Sequence, residues 1–436
     1  MSDRFSRREV LTAGIAGITA AAAGCQAPEA GFRAEGVFFE GGATAFDRVE
    51  ASFGHTVLDG VSQFRHSLEN WGYRPGETVP DAVEQEWRIP EHNTGEHSAA
   101  KASAVSLSDG EVAFPGDTGL LSAISADGEI QWQGETDLVG RGIHGTPVVA
   151  DGRVFIGAYD GVLYAFDAET GREEWSTKLG GSIGSSPKYD GKAIYMAVEY
   201  PDPEGSIFAV DPETGKVLWE DEKSRPTDHP HSTPAIDPDA GYMTVGSNDG
   251  MLYGWEYPSL EFAWTFETNP TNDTDGEIKG PVTTYDGAAF FGSWDQNIYR
   301  VDLETGTEDW SVKTGWLSMM GPGVDPTRDL VFGGSHDDNL YALDAQTGEI
   351  EWTFETGGPL TGCPTVCEHR VVFGSKDQSL YAVDIETGKE VWEVEHEGVV
   401  TSTPLVRDGD IYYAERAPDP EDDDIDGGAY KLVDAA

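Results

Sequence analysis

The run Ala165–Trp175, with the pattern A-x-D-x-x-T-G-x-x-x-W, returns at Ala209–Trp219, Ala342–Trp352 and Ala382–Trp392. The stretch Val301–Trp310 repeats all of it but the first alanine, and weaker copies end at Trp132 and Trp264. A unit that recurs at a fixed period of about 40 to 46 residues, with four short strand-like segments in each copy, cannot bury its own apolar face and must stack on its neighbours. The pattern therefore predicts an all-β fold, a β-propeller of four-stranded antiparallel blades.

Each position in the motif has a physical job. Asp-x-x-Thr-Gly reads as a tight hairpin in which the carboxylate accepts backbone N–H groups and the glycine supplies a positive φ. The tryptophan then falls on the outermost strand of a blade. The small alanine on the strand before it is expected to leave room for a neighbouring blade's indole. Burying an indole removes about 150–250 Å² from water, an upper bound of about 4–6 kcal/mol for each blade. These residues are read as structural, and none as catalytic.

The indoles also count the blades. Trp87, Trp132, Trp175, Trp219, Trp264, Trp310, Trp352 and Trp392 follow one another at spacings of 45, 43, 44, 45, 46, 42 and 40. Eight blades are expected, or seven if Trp87 is not in a blade strand. Glu84–Ile89 reads as an outer strand with no earlier strands of its own. At the other end, 403–406, 410–414 and 429–433 supply three strands with no closing tryptophan strand. The first strand would then complete the last blade and leave no sheet edge at the seam. An aspartate recurs between the second and third strands, at Asp117, Asp160, Asp249, Asp295, Asp337 and Asp377, and is assigned to turn chemistry.

The N-terminus reads as a targeting segment rather than as structure. Arg7 and Arg8 sit in a run that resembles the twin-arginine export signal, and the apolar stretch Val10–Ala23 is too short for a comfortable membrane span. Ala22-Ala23-Gly24-Cys25 resembles a lipoprotein cleavage box, which implies a lipid on Cys25. The division expected is a signal peptide over 1–24, a tether and lead-in over 25–79, and the propeller over 80–436. Within the lead-in, 45–53 is expected to form two helical turns.

The repeats resemble the pyrroloquinoline-quinone-like (PQQ-like) β-propeller family from about Glu84 to the C-terminus. That family holds quinone-dependent alcohol and sugar dehydrogenases as well as non-enzymatic lipoproteins similar to the BamB propeller. Phe64-Arg65 and Asn70–Pro75 resemble the segment that precedes the first repeat in exported members, which packs against the ring. The dehydrogenase branch implies adjacent disulfide-linked cysteines and a calcium–quinone site of Glu, Asn and Asp with Arg or Lys. This chain has no Cys-Cys pair. Its cysteines beyond Cys25 are Cys363 and Cys367, which in an extended strand stand about 13 Å apart, too far for a disulfide. No PQQ and no calcium are expected outside the dehydrogenase alternative.

Two weaker constellations remain. Asp422, Asp424 and Asp426 match the start of a calcium loop, but Val433 stands where its bidentate glutamate belongs, so an acidic hairpin tip explains them equally. His229 and His231, just before a first strand, and His144 at a similar place earlier in the chain, could border the axial channel together with Lys279, Met319 and Met320. Histidines near one axis are ligand types for a transition metal, but no spacing fixes a geometry, and polar channel lining is the reading adopted.

The expected protein is thus a monomeric, exported propeller, lipid-anchored to the outer face of the cytoplasmic membrane and facing the exterior. It would act as a binding or scaffolding module for a protein or envelope partner, with a PQQ-dependent dehydrogenase as the alternative. With 79 Asp and Glu against 28 Lys and Arg, the formal charge is −51, a surface that repels nucleic acid. Such acidity resembles proteins of salt-loving archaea, in which molar salt shortens the Debye length to about 3 Å and screens the self-repulsion. The melting temperature should therefore fall when salt is lowered from molar to about 0.1 M. Equal melting temperatures in scanning calorimetry at the two salt levels would refute this.

Overall fold

A computed structural model describes residues 55–90, 92–94, 102–108, 110–137, 142–222, 225–270, 275–417 and 427–435, together with the backbone of 32–33 and 48–50. Eight antiparallel sheets follow one another around an axis. Seven are built on local four-stranded meanders, spanning 105–135 (blade 1), 148–178 (blade 2), 188–220 (blade 3), 235–267 (blade 4), 283–313 (blade 5), 323–355 (blade 6) and 365–395 (blade 7), and blade 3 gains a fifth, outermost strand from Phe32–Arg33. Blade 8 takes its inner strands from Leu405–Arg407, Asp410–Arg416 and Gly428–Asp434 and its outer strand from Val83–Pro90. Trp87 lies opposite Lys431 across that last pairing. The ring therefore has eight blades and is closed by the first blade strand of the chain.

Burial follows the layering. The third strand of blade 2, Val162–Asp167, is buried along most of its length, because it is covered by a neighbouring sheet on each face. The outer strand Glu173–Lys178 alternates between exposed and half-buried positions, with Trp175 on the covered side. Seven of the eight docking indoles donate Nε1–H to a backbone carbonyl of the next blade's hairpin or its equivalent. Trp132 reaches Ala168 at 3.1 Å, Trp264 reaches Leu303 at 2.8 Å, and Trp392, at the seam, reaches Pro80 at 2.9 Å. The motif glycine lies under the indole of the preceding blade. Gly171, at φ 67°, would put any added Cβ 2.5 Å from the Trp132 ring. Within each hairpin the aspartate holds the threonine, as Asp167 Oδ1 does by accepting both the N–H and the Oγ1–H of Thr170, at 2.8 and 2.6 Å.

The motif alanine behaves differently from expectation. Ala165 is the cross-strand partner of Trp175, and the same holds for Ala209 with Trp219, Ala342 with Trp352 and Ala382 with Trp392. The small residue thus makes room for the indole of its own blade, and the glycine makes room for the neighbour's. Gly254 holds the alanine position in blade 4, where an added Cβ would collide with Trp264.

The lead-in packs against the ring, as expected, along the inner strands. Its main chain exchanges hydrogen bonds with inner strands on one blade after another: Ser62 with Val149, Leu68 with Ile236, Glu69 with Thr284, Trp71 with Val324, and Gly72 and Arg74 with Val366. Arg65 is buried, and its guanidinium donates to the carbonyls of Gly321 (2.8 Å), Trp71 (3.0 Å) and Pro364 (3.3 Å). Lys188 is also buried and donates to the carbonyls of Phe64 and Ser67. Coordination by several carbonyl oxygens offsets much of the cost of these burials. The helix expected over 45–53 does not form where the structure describes it. Arg48–Glu50 is a short strand that pairs with Val57–Leu58, which satisfies its backbone and suits the β-branched Val49.

Four histidines are packed into this closure, and burial holds His66 well below the usual imidazole range. Burial holds His55 down to about 3, and His92 and His396 down to about 4. The unfolded chain takes up protons at about 6.5, so the stability these groups confer is present above that pH and is lost as pH falls toward 4. Buried Glu69, pushed up to about 8, and Asp190 and Asp221, both raised by burial, act in the opposite sense. The histidine contribution is read from thermal melts at constant molar salt. His55→Gln should be less stable at pH 7 yet lose less between pH 6 and pH 4.

Candidate functional site

Every inner strand must turn in from the rim, and in five blades a small polar residue followed by proline makes that turn. The pairs are Thr146-Pro147, Ser186-Pro187, Thr233-Pro234, Cys363-Pro364 and Thr403-Pro404. Proline biases the residue before it to an extended conformation. The small side chains then form a belt in which each accepts an N–H from the blade before. Ser103 N–H donates to Thr146 (2.8 Å), Thr146 N–H to Ser186 (2.9 Å) and Ser186 N–H to Thr233 (3.0 Å). Further round, Gly321 N–H donates to Cys363 Sγ at 3.3 Å, and Cys363 N–H donates to Thr403 at 3.1 Å.

Inside this belt is a cavity of about 430 Å³. Its walls come from the links between blades and from the hairpins between second and third strands, and Phe64 of the lead-in contributes to its lining. Two lysines and three histidines line it: Lys279, Lys376, His144, His231 and His336. The Lys279 ammonium stands 3.6 Å from the centre of the Trp294 ring and 2.5 Å from the Glu277 carboxylate. Burial, reinforced by the charge of Arg416, holds Lys376 below the usual lysine range. A chain with so few basic residues thus gathers two of them at its axis.

The sequence-marked groups fall as follows. His144 and His231 line the cavity, and His144 packs on Tyr159 with ring centres 4.3 Å apart. Met319 lines it too, whereas Met320 is buried between blades. His229 converges with His231 on a residue that sequence reasoning missed, Glu199 of blade 3, whose Oε1 is 3.1 Å from His231 Nδ1. Cys363 and Cys367 are both free and buried, and burial pushes the Cys367 thiol up to about 12. Asp160, Asp249, Asp295, Asp337 and Asp377 each cap the N–H two residues on and accept the hydroxyl of a tyrosine four residues on, such as Tyr164 on Asp160 at 2.6 Å. They are saturated by their own turns. Arg7, Arg8, Cys25, Asp422, Asp424 and Asp426 lie outside the described residues.

The sequence matches the family described as outer membrane protein assembly factor BamB over residues 116–256, 203–327 and 295–419, which together cover more than half of the chain. The chain belongs to this BamB-like family of PQQ-like β-propellers. The BamB of Shewanella oneidensis is 25% identical over 227 residues, 49% of this chain and 53% of that protein. The BamB of Escherichia coli K12 is 27% identical over 211 residues, 46% and 49% of the two chains. The chain thus spans about half the length of the curated relatives it matches. The crystal structure of BamB from Moraxella catarrhalis superposes with a TM-score of 0.61 at 20% identity, covering 81% of this chain and 98% of that one. The quinohemoprotein alcohol dehydrogenase of Comamonas testosteroni gives a TM-score of 0.68 at 15% identity, covering 85% and 80%. At those identities the structures share the fold alone.

For the quinone chemistry of such dehydrogenases the donor set in this BamB-like chain is wrong. Among the described residues lining the cavity there is no Asp, Glu or Asn to hold a calcium ion, and the two cysteines away from Cys25 are unpaired thiols. Cys363 instead replaces a belt hydroxyl. Cys363→Ser should therefore keep the wild-type stability in denaturant titrations, and Cys363→Val, which leaves Gly321 N–H without its acceptor, should lose about 1–3 kcal/mol.

Proposed function

We propose that this protein is an exported, lipid-anchored propeller that binds or scaffolds a protein partner at the cell surface. The family match across six whole blades and parts of the other two carries this reading. What the relatives assemble is said of them; the kind of role is what is carried over. Among the described residues no helix is long and apolar enough to cross a membrane, so the anchor proposed is the lipid on Cys25 behind the twin arginines Arg7 and Arg8.

The partner-binding face proposed is the one onto which the axial cavity's walls lead. Trp316, in the link from blade 5 to blade 6, leaves 49% of its surface to solvent on that face. Its backbone carbonyl is nevertheless tied down by Thr314 and Ser335. A rigidly mounted, exposed indole suits an interface anchor. The acidity of the surface is taken as an adaptation to molar salt, and the partner's surface is expected to work under the same screening.

Cys25→Ser should shift the protein from the membrane fraction to the soluble one. Cross-linked pull-downs from membranes in molar salt should recover a partner with the wild-type chain. Trp316→Ala, at an exposed position, should lower that recovery about tenfold or more with an unchanged melting temperature. Dye reduction driven by an alcohol or a sugar on adding PQQ and calcium would refute the binding-protein reading in favour of an enzyme.

A further inference from the structure

Blades 3 and 8 depart from the other six at one place. In the six, the turn between second and third strands carries an aspartate, and in five of them, blade 1 with Asp117 apart, its side chain caps the turn. In blades 3 and 8 this hairpin is longer, and a glutamate stands at matching register: Glu199 opposite Gly205, and Glu415 opposite Gly428. In both blades a serine of the inner link brackets the second strand, Ser185 on Ala197 and Ser402 on Ala414. Glu199 and Glu415 are both buried, at 4% and 1% exposure.

The two carboxylates are answered differently. Glu415 meets the Arg88 guanidinium at 3.4 Å, the Gly398 N–H at 3.0 Å and the Tyr430 hydroxyl, with the single imidazole of His396 3.8 Å away. Glu199 meets two imidazoles, with Oε1 3.1 Å from His231 Nδ1 and Oε2 3.8 Å from His229 Nδ1.

We propose that Glu199, His229 and His231 form a binding site for a divalent transition-metal ion of the zinc class. One ligand atom from each residue lies within 4.8 Å of the other two. Ligand atoms around a tetrahedral ion with bonds of about 2.0–2.1 Å stand about 3.3 Å apart, so small side-chain shifts complete the triangle. Pro230 between the histidines restricts the loop and lowers the entropy cost of presenting both rings. Gly184 keeps the space open: a Cβ there would come 2.9 Å from His231 Nδ1 and 3.1 Å from Glu199 Oε1. Two nitrogens and one oxygen select zinc, cobalt or nickel over calcium and magnesium, which prefer all-oxygen shells. Because His231 also lines the axial cavity, the fourth coordination position opens to it.

The test uses the full chain in molar potassium chloride with millimolar magnesium, which occupies weak surface carboxylate sites. Zinc is added, excess is removed by dialysis, and the retained metal is measured by mass spectrometry. One equivalent should remain, and cobalt in its place should give the visible absorption of a four-coordinate ion. Glu199→Gln, His231→Ala and the half-exposed His229→Ala should each weaken retention about tenfold or more, while melting within a few degrees of wild type in the absence of metal. His144→Ala, outside the cluster, should retain the full equivalent. No retention by the wild-type chain, or equal retention by all three cluster variants, would overturn the site.

Discussion

An indole laid across a glycine is the contact on which the ring depends. The tryptophan belongs to one blade and the glycine to the next, so each such contact fixes two sheets relative to each other. The hydrogen bond from Nε1–H to the same hairpin adds direction to what would otherwise be an apolar contact. Geometry makes the glycine indispensable twice over, since its φ is positive and its missing Cβ is where the ring lies. The alanine and a regular bulge beside it let the outer strand carry the indole without splaying the blade. Six repetitions of this local solution set most of the ring, and Trp392 on the Pro80 carbonyl serves at the seam.

The centre of the ring is solved differently. Propeller inner strands converge, and their inward edges need partners. The belt of Thr, Ser and Cys side chains supplies them near one face, and the lead-in supplies them deeper along the axis. Arg65, Lys188 and Asn70 reach from or to that lead-in with bonds to main-chain carbonyls on several blades at once. Such bonds read backbone position, not side-chain identity, so they tie together blades whose sequences differ. What remains at the axis is a cationic, partly aromatic chamber in a strongly acidic molecule.

Legibility in the sequence followed repetition. The blade count, the closing strand and the turn role of the aspartates could be read because each feature occurs many times at one spacing. The alanine was misassigned because a strand has two faces, and spacing alone does not say which neighbour lies across each. That the lead-in packs against the ring was legible only through a resemblance, and its path was not, since it occurs once and is held through carbonyls that carry no sequence signal. Glu199 was missed for a related reason. It is a departure from the repeat, and its signal was the absence of the recurring aspartate in blade 3 and the longer stretch from Glu199 to Gly205. Cys363 could have been placed by alignment with the Thr-Pro and Ser-Pro pairs, where it stands as one more small acceptor.

Closure of blade 8 by Val83–Pro90 has a consequence for how the chain comes off the ribosome. The outer strand of blade 8 is made before all seven of the blades that separate it from its hydrogen-bonding partner, Gly428–Asp434. Until that partner has been made, the nascent protein carries two raw sheet margins that could capture a foreign strand. The ring thus shuts only after every intervening blade is present, and a chain cut short before blade 8 stays open.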